Sequence, residues 1–129
     1  MRTRPLGRTG VDISVIGLGT ATIGSDPAAD GGGIAAIERA VELGVNWIDT
    51  APIYGDRRSE GVVGQAIRSM PRPPLIFGKT SMTVADGRIV HSLDPAKLRT
   101  ELEASLLRLG LDAMDVLFVH WPIPDEGIE

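Results

Sequence analysis

The chain has 129 residues, 43% of them apolar and 23% charged, with a formal net charge of −4 and a pI near 5.1. That length supports one domain with a real core, and the mild acidity argues against nucleic acid or an anionic membrane as the main partner. There is no cysteine, which excludes disulfides and thiolate metal sites. No apolar run approaches the ~20 residues of a membrane helix, and no apolar segment follows the charged N-terminus to make a secretory signal; the expectation is a cytoplasmic protein without a metal.

In chain order, Arg8-Thr9-Gly10 is a turn signal between Arg4 to Leu6 and Val11 to Ser14, and predicts a small hairpin. Val15 to Leu18, bounded by glycine, reads as a first buried strand. After the loop "DPAADGGG", Ile34, Ile37 and Val41 recur at helical spacing, and Gly44 sits where a C-terminal cap belongs. Val45 to Ile48 is a second buried strand, ending at Asp49. The turn-rich "TAPIYGDRRSE" leads to Ser59, read as the N-cap of a helix carrying Val62 or Val63, Ala66, Ile67 and Met70. "PRPP" stops that helix. Leu75 to Phe77 is a third strand, and the polar "TSMTVADGRIVHS" after it is too long for a simple turn. Asp94-Pro95 opens a helix with Leu98, Leu102, Leu106 and Leu109 on one face, closed by Gly110. Val116 to Val119 is a fourth strand, ending at His120.

Strand and helix alternate throughout, which implies right-handed crossovers and a parallel sheet covered by helices, an α/β fold. The strands are short continuous apolar runs, as expected of strands buried on both faces. In such a sheet all carboxyl ends lie on one rim, where sites form in barrels and in open sheets alike. Thr20 follows the first strand, Asp49 the second, Lys79 the third and His120 the fourth.

Taken singly, these residues have plain explanations. Asp49 can cap a loop, Tyr54 can wall a surface, Lys79 can be solvated, and His120 can be a satisfied strand-end histidine. His91 has no partner visible in the sequence and reads as surface. Together, an acid, a phenol, an ammonium and an imidazole on one rim suggest tuned proton transfer. A phenol with a pKa near ~10 gives up its proton poorly at neutral pH. A nearby ammonium favours the phenolate, a carboxylate can hold that ammonium, and a histidine can orient a carbonyl beside the phenol, which is general-acid chemistry.

Two glycine patterns mislead. Gly78-Lys79-Thr80 ends like a phosphate-binding loop, but the glycine required five residues earlier is Pro73, and the strand runs straight into Gly78. Gly17-x-Gly19 begins like a dinucleotide fingerprint, but position 22 is threonine, and "SDPAADGGG" stands where a helix should open.

The segments "GLGTATIG", "GVNWIDTAPIYG" with "SE" after it, "LIFGKTS" and "DVLFVHWP" resemble, in order, the successive signatures of the aldo-keto reductase family. The resemblance covers essentially the whole chain. It implies a (β/α)8 TIM barrel that binds NADP(H), or in some members NAD(H), and transfers a hydride between the nicotinamide and a carbonyl or alcohol, including sugars. By the same resemblance, Tyr54 is the general acid, Lys79 lowers its pKa, Asp49 pairs with Lys79, and His120 orients the carbonyl. Gly19, Thr20 and Ala21, with Asp49, fall near the nicotinamide, and Trp121 walls the substrate pocket.

A full barrel takes roughly 250 residues, so residues 1–129 read as a single partial domain: an N-terminal hairpin and about four β/α units. The expectation is the N-terminal half of a barrel, inactive alone, whose missing C-terminal half carries the rest of the cofactor site. Two other readings stand beside it: a non-catalytic, cofactor-binding regulatory subunit on the same fold, and a barrel aldolase with Lys79 as Schiff-base nucleophile.

Overall fold

The computed structural model of the chain describes residues 1–121. The chain opens with an antiparallel hairpin, β1 (Thr3–Pro5) and β2 (Asp12–Ser14). A four-stranded parallel sheet follows, in the order β3 (Leu18–Gly19), β4 (Trp47–Asp49), β5 (Leu75–Thr80), β8 (Val116–Val119). Helices α1 (Asp30–Glu42), α2 (Arg58–Ile67) and α3 (Pro95–Leu109) make the crossovers. A second antiparallel hairpin, β6 (Met82–Ala85) and β7 (Arg88–His91), stands between β5 and α3.

Because side chains alternate along a strand, the sheet has two distinct faces. Ile48 and Ile76 point to the helices and pack with Ile37, Val62, Val63, Ala66, Ile67 and Leu109 in the main core. The opposite face carries Trp47, Phe77 and Phe118, with ring centroids 4.9 Å apart for the first pair and 6.1 Å for the second. This aromatic layer lies one step below the rim. Gly17 belongs beside it, since a Cβ there would fall 2.2 Å from the Trp47 ring.

Several expectations change in detail. Of Val15 to Leu18 only the end pairs in the sheet, and Val15 and Ile16 are exposed. The cause is local: the Ser14 hydroxyl donates to the Ile16 carbonyl (2.7 Å) and bends the chain before the strand begins. Ser59 is not an N-cap. Arg57, at φ 72°, holds that position, and Ser59 lies inside α2 with its hydroxyl turned into the protein. Lys79 lies within β5, not after it. The polar segment is the β6–β7 hairpin, turned at Asp86-Gly87 with both residues at positive φ. Finally, β8 is not buried on both faces: it is an edge strand among the described residues, and Leu117, Phe118 and Val119, which alternate between its faces, are all exposed.

Asp94 and Gly110 behave as read. The Asp94 carboxylate accepts from the Ala96 and Lys97 N–H groups, and Gly110 adopts φ 70° at the end of α3. Among the described residues no helix is long and apolar enough to cross a membrane.

Candidate active site

Strand parity places the rim residues. Asp49 lies two residues beyond Trp47, Lys79 two beyond Phe77, and His120 two beyond Phe118, so all three occupy the aromatic face at its carboxyl edge. The register supports this: Phe77 pairs with Asp49, Lys79 with Phe118, and the His120 N–H continues the ladder by donating to the Thr80 carbonyl (2.9 Å).

The Lys79 ammonium bonds the Asp49 carboxylate and also donates to the Thr50 carbonyl (3.3 Å). Their side chains are only 13% and 29% exposed, so the pair is partly screened from water. Tyr54 arrives from the loop after β4. That loop winds tightly, with the Tyr54 N–H donating to Ala51 (3.1 Å) and the Ser59 N–H to Tyr54 (3.3 Å). Gly55 lets it pack backbone against backbone on the loop after β3, since a Cβ there would sit 2.6 Å from the Gly24 carbonyl oxygen. The outcome is a phenol ring with the Lys79 Nζ 5.1 Å from its centroid and the His120 ring edge-on at 5.8 Å. An ammonium in that position is attracted by the ring face.

Burial lowers the His120 pKa below its usual value, and the Lys79 charge lowers it further; Asp49 opposes this and His91 adds a little to the lowering. The imidazole is therefore neutral at pH 7, with one ring nitrogen able to donate. Its Nδ1 is buried and has no hydrogen-bond partner among the described residues.

The structure thus brings Asp49, Tyr54, Lys79 and His120 together, with Trp121 exposed beside them. Gly19 and Ala21 lie exposed on the rim, and Gly19 pairs with Asp49. Thr20 differs from both. Its side chain is fully buried on the helix side, where its hydroxyl donates to the Asp49 carbonyl (3.0 Å) and meets the Ser59 hydroxyl (2.9 Å). The sequence pointed to Thr20 for its place after a strand, but parity turns it away from the Gly19 face.

Other supports went unread in the sequence. Glu101 of α3 accepts from the Thr80 hydroxyl (2.9 Å) and the Ser81 N–H (3.0 Å), fixing the chain just beyond Lys79. His91, read as surface, stacks on Trp121. The signal available for His91 was "DG" between alternating residues, which marks a hairpin and would have carried His91 back toward the rim.

The chain has known relatives along most of its length. The profile of the Aldo/keto reductase family matches residues 15–129. The chain is 37% identical to the NADH-specific methylglyoxal reductase of Escherichia coli, covering 94% of this chain and 42% of that protein. It superposes on the glycerol dehydrogenase of Gluconobacter oxydans with a TM-score of 0.87 at 32% identity, covering 95% of this chain and 40% of the other. For an aldo-keto reductase from Klebsiella pneumoniae in complex with NADPH, the TM-score is 0.73 at 31% identity, over 88% and 38%. The chain therefore spans about two fifths of the length of these relatives.

Proposed function

Since the chain belongs to the aldo/keto reductase family, we propose that it supplies the acid–base half of an NAD(P)H-dependent carbonyl reductase, working as the first half of a (β/α)8 barrel. The observation that carries this reading is the contact set around Tyr54: the Lys79 ammonium 5.1 Å from its ring and the His120 imidazole edge-on at 5.8 Å.

In this reading the Tyr54 hydroxyl gives its proton to the carbonyl oxygen of the substrate, and takes one back when an alcohol is oxidised. The negative charge left on the phenol oxygen lies beside the Lys79 cation. That cation is aimed by Asp49 and by the Thr50 carbonyl, and Thr20 steadies Asp49 from behind through its backbone carbonyl. A preorganised cation facing a developing anion is the usual source of large electrostatic stabilisation in a site. Neutral His120 donates a hydrogen bond to the carbonyl oxygen and sets its approach to Tyr54, while Trp121 walls the pocket.

A nicotinamide fits this rim on two observations. A Cβ at Gly19 would meet nothing within 4 Å, so the strand end leaves open room, and His120 Nδ1 is an orphaned buried polar atom at the same edge. Gly19, Ala21 and Asp49 would hold the reactive end of the cofactor. When bound, the reduced nicotinamide supplies the hydride to the carbonyl carbon. The relatives include one named NADH-specific and one in complex with NADPH, so this half of the barrel suits either. Substrates are small carbonyl compounds or sugars, and the chemistry belongs in the cytoplasm, in keeping with a chain free of cysteine. An aldolase role for Lys79 is disfavoured, because a Schiff-base nucleophile must be a free amine, whereas Lys79 is tied up with Asp49 and Thr50.

The test is Tyr54→Phe in a complete barrel built on this sequence. Loss of general-acid catalysis lowers kcat by roughly 10²–10⁴-fold, while NADPH binding by fluorescence titration stays close to that of the parent. Undiminished turnover would remove Tyr54 from the mechanism.

A further inference from the structure

The β6–β7 hairpin and the chain just past β8 carry an aromatic pair in which His91, unlike Trp121, has so far been given no role. The His91 imidazole lies against the Trp121 indole, ring centroids 6.0 Å apart and 18° from parallel. Both side chains are exposed, and Trp121 directly follows His120. The hairpin is held from two sides. At its base the Ser92 N–H donates to the Ser81 carbonyl (3.0 Å), and the Ser81 hydroxyl to the Trp121 carbonyl (3.5 Å). From the Tyr54 loop, the Arg57 guanidinium donates to the Thr83 hydroxyl (3.3 Å) and to the Val84 carbonyl. His91 is thereby tied to the His120 strand by its stack and to the Tyr54 loop through Arg57.

We propose that His91 is a specificity-determining residue: with Trp121 it walls the mouth of the site and selects carbonyl substrates carrying hydroxyl groups beyond the carbonyl. The inference rests on the reductase reading above. Its chemistry is specific to this pair. The imidazole edge carries two ring nitrogens that can hydrogen-bond a substrate hydroxyl. Stacking on the indole fixes the ring plane in advance, so less side-chain freedom is lost when a ligand binds. Ile89, on the same face of β7, is apolar and offers hydroxyls no competing partner.

The experiment compares glyceraldehyde with propanal, which share a three-carbon skeleton and differ in the two hydroxyls. In a complete barrel built on this sequence, the ratio of their kcat/KM values should fall roughly 3- to 10-fold in His91→Ala, the worth of one hydrogen bond. His91→Gln, which keeps a donor and an acceptor, should restore part of the ratio. An unchanged ratio, or equal losses on both substrates, overturns the proposal. If the parent turns over neither compound, the reductase reading fails instead, and Trp121 fluorescence decides this one. Glyceraldehyde should then shift the part of the emission that disappears in Trp121→Phe, and should no longer shift it in His91→Ala. Absence of any shift in the parent would overturn the proposal as well.

Discussion

His120 is the residue whose environment has the clearest consequence in solution. Its pKa is lowered in the folded chain, first by burial and then by Lys79. In the unfolded chain the same imidazole titrates near the ordinary histidine value of about 6.5. As pH falls through that value, the unfolded state takes up a proton that the folded state still refuses, so stability contributed by neutral His120 is present above pH 6.5 and lost below it. Urea midpoints measured on either side of that pH should therefore drop on acidification, and should drop less in His120→Asn. Identical pH slopes in the two forms would show that the ring is not held neutral by its surroundings. Much of this site was legible residue by residue, because a polar side chain placed just past an apolar run must lie at the rim of a parallel sheet. What could not be read was parity. Thr20 and Gly19 are adjacent in sequence yet face opposite sides, and only the pairing of Leu18 with Ile48 shows which of them shares the face of Asp49.

The elements were easier to read than their ends. Asp94-Pro95 and Gly110 declared both termini of α3 through their own backbone chemistry, whereas Ser59 looked like a cap and proved to be a buried link from α2 to Thr20. A serine offers the same hydroxyl to a helix terminus or to a neighbouring loop, and nothing local distinguishes the two. The same helix holds a second buried link. Glu60 is fully buried in α2 and meets Arg108 of α3 at 2.6 Å, while Arg108 also donates to Ser105 (3.0 Å). Neither partner stood out in the sequence, since Glu60 reads simply as a favourable acid in the first turn of a helix. Removing the arginine leaves a carboxylate in the core, so Arg108→Ala should cost about 3–5 kcal/mol. Adding Glu60→Gln removes the charge and should recover part of that loss. Thermal denaturation of the single and double variants measures both, and a double variant no more stable than Arg108→Ala would mean that the buried charge is not the cause.

At the scale of the whole molecule, the sheet has two edges among the described residues, β3 and β8. A barrel has none, because closure pairs every strand. The consequence is visible on β8, where Leu117, Phe118 and Val119 remain 42%, 45% and 40% exposed although their sequence is that of a buried strand. Phe118 also ends the aromatic layer of Trp47 and Phe77, so the inner face of the sheet opens to water along the same strand. An unpaired strand edge beside an exposed apolar face is a template for association. Expressed alone, the 129-residue chain should therefore self-associate at micromolar concentration, with light scattering that rises with concentration and with binding of a hydrophobic dye. Phe118→Lys places a charge on the exposed edge and should reduce both signals, since a charged edge resists pairing. Val63→Lys serves as a contrast: it puts a charge into the helix-side core and should unfold the chain without curing association. A parent chain that stays monomeric across that concentration range and binds no dye would show that the open edge is satisfied in another way.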